Sequence, residues 1–122
     1  MPRLRVLIAD SHPLFRAAAA HLLASDPHIQ VVGCVQSGPE ALAQAAELEP
    51  DIVITEILLP DDAQRDVVPR LKALPKAPQV VVLSFHDQAP YREFAHSAGA
   101  DAFLSKAEAG VQLLPLIYKL VA

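Results

Sequence analysis

The sequence predicts one α/β domain built on an open, doubly wound, mostly parallel sheet. Three observations predict it. Short β-branched runs alternate five times with longer Ala- and Leu-rich stretches, the rhythm of strand–helix–strand units. The inner runs Ile52-Val53-Ile54 and Val80-Val81-Val82-Leu83 are apolar throughout, as strands covered on both faces must be. No repeat, linker or composition shift divides residues 1–122, a length that suits one core and one site.

Leu4 to Ala9 reads as the first strand. His12 to Ser25 reads as a helix, with Pro13 in its first turn, where a missing N–H costs nothing. Ile29 to Val35 is the second strand. Ser37-Gly38-Pro39-Glu40 opens the second helix: Ser37 can cap, and Pro39 and Glu40 suit the first turn. Ile52 to Ile54 is the third strand and Val80 to Leu83 the fourth. Tyr91 to Ser97 fits a short helix ended by Gly99. Ala102 to Leu104 is the last strand and Val111 to Val121 the last helix. Two prolines resist this scheme. Pro69 falls in the expected third helix, Gln64 to Leu74, and Pro115 falls inside the last. An interior Pro costs a helix ~3 kcal/mol, so each helix either kinks or begins late.

Composition removes several functions. A net charge of −4 without any basic block argues against a nucleic-acid surface. The four glycines are too scattered for a phosphate-cradling loop. No apolar run reaches membrane-spanning length, and the run ending at Asp10 is too short for a signal peptide. One Cys suits a reducing compartment, so a cytoplasmic location is expected. Cys34 itself reads as a small buried hydrophobe in a strand.

Right-handed crossovers place the site of such a sheet at the carboxyl ends of its strands. Four points converge there: Asp10 and Ser11, Thr55 and Glu56, Ser84 with Phe85 and His86, and Ser105 with Lys106. Two carboxylates, a hydroxyl and an ammonium outline a pocket that handles an anion or a metal. His12 and His86 flank it. Mixed His and carboxylate ligands can hold a transition metal, yet the spacing matches no recognised metal motif, so no metal is expected. Asp10 and Ser11 are also good N-caps for the first helix. His21, His28 and His96 read as ordinary surface residues.

Three segments carry a family resemblance: Ile8-Ala9-Asp10-Ser11-His12-Pro13-Leu14-Phe15-Arg16, Pro50 through Pro60, and Ala98-Gly99-Ala100-Asp101-Ala102-Phe103-Leu104-Ser105-Lys106. Together, in order, they resemble the receiver domain of two-component response regulators. The likeness is closest to the receiver halves of helix-turn-helix (LuxR-type) transcription regulators. It implies five parallel strands in the flavodoxin-like order 2-1-3-4-5, flanked by about five helices. It also implies a site where two acids help hold Mg²⁺ and an Asp accepts a phosphoryl group from a histidine kinase. On that template Asp10 matches the first acid, and Asp10, Ser11 and Leu58 form the acidic, metal-binding remnant. Glu56 stands at the phosphoacceptor position. Ser84 matches the hydroxyl, Phe103 the aromatic switch and Lys106 the lysine.

The departures bear on mechanism. Ser11 offers a neutral hydroxyl where the family supplies charge. Glu56 is one methylene longer than Asp, which moves its carboxylate by roughly 1–1.5 Å and can cost about 10²-fold in an in-line reaction. A reaching Glu56 can pair with Lys106 directly. Phe85 replaces a small residue and can cover the site. Asp61-Asp62-Ala63-Gln64 stands where relatives carry glycines.

The resulting expectation is an atypical receiver, phosphorylation-independent and not an enzyme, with no catalytic residue and no cofactor. The departures weaken the case for Mg²⁺. Glu56 with Lys106 would lock one conformation, and a Glu resembles a phosphorylated Asp. Its partners would be a protein or output domain, a histidine kinase, or a second copy. A second copy would pack through the first and last helices, or through the fourth helix, fifth strand and fifth helix. The last helix is apolar most of the way round, which fits either deep burial or an interface. Two other readings stay open. One is a receiver that still accepts phosphate on Glu56, Asp51, Asp61, Asp62 or Thr55 and controls a DNA-binding output domain outside this chain. The other is a metal-assisted hydrolase using Asp10, Glu56 and His86.

Overall fold

The computed structural model describes residues 2–62 and 65–122. Strands β1 (Leu4–Ala9), β2 (Ile29–Val35), β3 (Ile52–Glu56), β4 (Gln79–Ser84) and β5 (Ala102–Ser105) alternate with helices. The helices are α1 (Pro13–Ala24), α2 (Gly38–Leu48), α3 (Val67–Lys72), α4 (Ala89–Ala98) and α5 (Ala109–Val121). All strand pairs are parallel, in the order β2-β1-β3-β4-β5. The expected doubly wound sheet and its strand order are both present.

Side chains alternate across a strand, so each strand serves two cores. Val6, Ile8, Ile52, Ile54, Val81 and Leu83 pack with Leu23 of α1 and with Leu113 and Ile117 of α5. Leu7, Val53, Val80 and Val82 pack on the opposite face with Ala41 and Ala45 of α2, Leu71 of α3 and Ala95 of α4. A continuous apolar run in β3 and β4 therefore reads as two interleaved faces. Each fully buried Val, Leu or Ile stabilises the sheet by about 1.5–3 kcal/mol relative to exposure.

The helix ends follow local chemistry. Ser37 Oγ accepts the Glu40 N–H, capping α2 as expected. Gly99, at φ 100°, ends α4 in the left-handed region that a side chain resists. Gly38 permits a close approach: a Cβ there would stand 3.0 Å from both Asp62 Cβ and Val67 Cγ2.

The two troublesome prolines resolve differently. Helix α3 begins late, so Pro69 falls in its first turn, where no N–H is needed. The expected start at Gln64 lies outside the described residues. Helix α5 runs through Pro115. Pro115 is exposed, so the Val111 carbonyl it leaves unbonded faces water rather than core.

Two expectations need correction. Cys34 is exposed, because β2 is an edge strand with a single sheet neighbour. Partial burial still raises its thiol pKa, opposed by nearby Arg16. The N-cap of α1 is His12, so neither Asp10 nor Ser11 caps that helix. Asp10 instead accepts the His12 N–H on Oδ1 at 2.9 Å, closing a side-chain turn just before the helix.

Candidate functional site

Strand register fixes the site. Ala9 pairs with Thr55, Glu56 with Leu83, and Ser84 with Ser105. Residues 10, 56, 84 and 106 therefore emerge along one edge of the sheet. Asp10, Glu56 and Lys106 are all buried there.

Buried charge is tolerated only when it is paired. Lys106 Nζ lies 2.7 Å from Asp10 Oδ2 and 3.6 Å from Glu56 Oε2. It also faces two rings, with Phe15 centred 4.5 Å away and Phe85 5.1 Å away. An ammonium between two aromatic faces and a carboxylate is held by cation–π attraction as well as charge.

Glu56 reaches across the pocket. Its Oε1 accepts the Ser11 N–H at 2.8 Å, and its Oε2 lies 3.1 Å from His12 Nδ1. His12 Nδ1 is also 3.1 Å from Asp10 Oδ1 and 3.3 Å from Lys106 Nζ. Arg16 donates to the Asp10 carbonyl at 2.7 Å. Among the described residues, no buried side-chain polar atom lacks a hydrogen-bond partner.

Asp10, His12, Glu56 and Lys106 thus form one cluster, and Ser11 joins it through its backbone. The expected Glu56–Lys106 pair is present, but the shorter contact of Lys106 is to Asp10. Ser84 and Leu58 line a cavity of about 190 Å³ beside the cluster, together with Phe85 and His86. Ser84 Oγ accepts the His86 N–H at 2.9 Å. The His86 ring stacks on Tyr91, 4.8 Å between centroids, and is not one of the clustered ligands. Phe85 lies edge-on to both His12 and Phe15, so it does cover the cluster. Phe103 lies apart, under the Arg92 guanidinium at 4.8 Å and against a separate small cavity.

The alternative acceptors are scattered. Thr55 is buried and donates to the Glu56 carbonyl. Asp51 precedes β3 at the far end of the sheet and accepts the Arg5 N–H. Asp61 and Asp62 line a separate cleft with Asp66 and Arg70. Sequence reasoning overlooked Phe15 and Arg16 as site residues. Their signal was position: three and four residues after His12, one helical turn brings them back over the strand end.

A profile of the response regulator receiver domain matches residues 6–118. The chain belongs to that family. This receiver is 39% identical over 101 residues to the transcriptional regulatory protein UhpA of Salmonella typhimurium, covering 83% of this chain and 50% of that protein. It is 31% identical over 118 residues to the response regulator protein VraR of Staphylococcus aureus, covering 95% of this chain and 56% of that one. The chain spans about half the length of the curated relatives it matches. Among solved structures, the signal receiver domain of the putative response regulator NarL of Mycobacterium tuberculosis superposes with a TM-score of 0.86 at 27% identity. That match covers 98% of this chain and 97% of the other. A LuxR-family DNA-binding response regulator of Staphylococcus aureus shares the fold, at a TM-score of 0.87 and 20% identity, covering 96% of this chain and 98% of that one. The receiver therefore belongs to two-component signal transduction. No described helix is long and apolar enough to cross a membrane.

Proposed function

We propose that this receiver signals through protein contacts without an aspartyl-phosphate switch. The observation that carries the reading is the closed circuit around Glu56. Its carboxylate stands at the phosphoacceptor position and already engages the Ser11 N–H, His12 and Lys106. Groups that would stabilise an incoming phosphoryl group are occupied by carboxylates of the chain itself.

The donor set fits Mg²⁺ poorly. That ion wants near-octahedral oxygens and commonly relies on one or two carboxylates plus phosphate. Here Asp10 Oδ2 faces an ammonium at 2.7 Å, and a nitrogen of His12 stands between the carboxylates. Asp10, Ser11 and Leu58 are accordingly a remnant of the metal site, and Ser84, Phe103 and Lys106 keep the switch positions without a phosphate to read. No residue is assigned a catalytic role.

The partner is a protein: an output domain outside this chain, a kinase, or a second copy. Leu14 of α1 and Val111 of α5 support this, exposed by 88% and 77%. Light scattering over a concentration series reads the second-copy version, which monomer at every concentration would exclude.

The deciding experiment is incubation with acetyl phosphate and Mg²⁺, read by intact mass. The mass should stay unchanged. A stable gain of one phosphoryl group, mapped to Glu56 or a neighbour, overturns the reading and restores the phosphate-accepting receiver.

A further inference from the structure

We infer that Arg92 is a positioning residue that couples Phe85, over the charge cluster, to Phe103 on β5. Two cation–π contacts share one short loop. Phe85 faces the Lys106 ammonium at 5.1 Å, and Phe103 lies 4.8 Å below the Arg92 guanidinium. Between them, Arg92 Nε donates to the Asp87 carbonyl at 2.9 Å. The route from Lys106 to Phe103 is therefore one ring, two residues of backbone and one guanidinium.

Local sequence makes the loop between β4 and α4 depend on these contacts. Residues 85–88 are all exposed, so no core packing fixes them. Gln88 stands at the N-cap of α4 without a side-chain hydrogen bond, and Pro90 takes one N–H out of the first turn. The bond from Arg92 to Asp87 ties that uncapped start to the loop. Phe85 holds the other end of the loop, and the His86 ring rests on Tyr91.

Arginine suits this task because its guanidinium is flat. It stacks a face on a ring and donates from its edge at the same time, whereas the ammonium of a lysine is a compact point charge. Phe103 needs such a hold. It is half-buried on an edge strand and borders a cavity of about 110 Å³. The Ser84 Oγ, on the neighbouring strand, is engaged by the His86 N–H.

Lifting Phe85 off Lys106 draws the Asp87 carbonyl away from Arg92, and Phe103 loses its cover. A partner that binds only the lifted loop therefore releases Phe103. A partner that binds the released ring loosens the cover of the cluster, since coupling between two sites is reciprocal. No phosphoryl group takes part, so this coupling and the phosphorylation reading can each fail without the other.

The test is a mutant cycle read in the ring resonances of Phe103, with isotope-labelled phenylalanine and no phosphodonor. Phe103→Leu assigns the signals. Phe85→Ala should shift them. In an Arg92→Ala background the same substitution should leave them where Arg92→Ala alone puts them. Arg92→Lys keeps the charge without the flat edge and should lose the coupling too. It decides alone if amide dispersion shows Arg92→Ala unfolded. Ser84→Ala should keep the coupling. An unmoved Phe103 in Phe85→Ala overturns the inference, as does an equal shift with and without Arg92. Coupling that survives Arg92→Lys, or disappears in Ser84→Ala, overturns it as well, since charge alone or the hydroxyl then carries it.

Discussion

Lys106 Nζ lies 2.7 Å from Asp10 Oδ2, and both side chains are almost wholly buried. Glu56 stands behind them at 3.6 Å from the same ammonium. One cation therefore balances two carboxylates, and its removal cannot be neutral.

Lys106→Ala should destabilise the receiver by about 3–5 kcal/mol, because it leaves buried carboxylates unpaired. Glu56→Gln should cost much less, since it removes the more distant competitor for that ammonium. Urea midpoints of the two variants rank them. Equal losses would contradict the pairing described.

Phe85 is 62% exposed, yet it faces Lys106 across 5.1 Å. A surface Phe with no partner could be trimmed freely. Phe85→Ala should instead lower stability by about 0.5–2 kcal/mol, the range for a cation–π contact. Combined with Lys106→Met, the Phe85→Ala loss should shrink, which a double-mutant cycle reads.

The α5 stripe predicts a sharp contrast within two residues. Leu113 is fully buried, whereas Val111 is 77% exposed. Leu113→Ala should cost about 2–5 kcal/mol, and Val111→Ala should stay within about 0.5 kcal/mol of wild type. Thermal unfolding of the pair checks it.

Tyr118 and Asp26 supply a pH dependence. The Tyr118 hydroxyl donates to Asp26, which also accepts the His28 N–H. These bonds hold the Asp26 carboxyl below its ordinary range, and the same contact raises the Tyr118 phenol. A lowered acid contributes stability that is present above the unfolded value, about pH 4, and is lost as pH falls through the folded one. The raised phenol contributes below about pH 10 and loses its contribution as pH rises through the folded value. Absorbance titration should show Tyr118 ionising above ordinary tyrosine, and Asp26→Asn should bring it back.

Restoring both acids should restore chemistry. The double variant Ser11→Asp, Glu56→Asp shortens the acceptor and returns the missing carboxylate. Incubated with acetyl phosphate and Mg²⁺, it should gain one phosphoryl group by intact mass where wild type does not.

Most of this fold was legible in the residues. The bounds of β1 and β2 were read to the residue, because each is a β-branched run between a charged or turn segment and a helix. Ser37 and Gly99 announced the start of α2 and the end of α4 through capping chemistry. Pro69 and Pro115 were ambiguous for a physical reason. Local sequence says that a Pro strains a helix, but tertiary position decides whether the helix starts late or lets the orphaned carbonyl meet water. Cys34 was misjudged because edge and central strands share a composition. At the site, the strand-end rule located Asp10, Glu56 and Lys106. It could not rank their contacts, which depend on where side chains of different length come to rest. That is why Asp10, rather than Glu56, proved to be the nearer partner of Lys106.

The strand order has a consequence for synthesis. β1 lies inside the sheet, between β2 and β3, and its Ile8 pairs with Ile54, far along the chain. The two acids are complete once residue 56 has left the ribosome, whereas their counter-ion arrives only with residue 106. Until then the carboxyl edge of the sheet holds repelling charges with no cation between them. Non-local parallel pairing is slow to form in any case. That edge therefore cannot close on its counter-ion before β5 has emerged, and a ribosome stalled before β5 would present it open to chaperones and proteases.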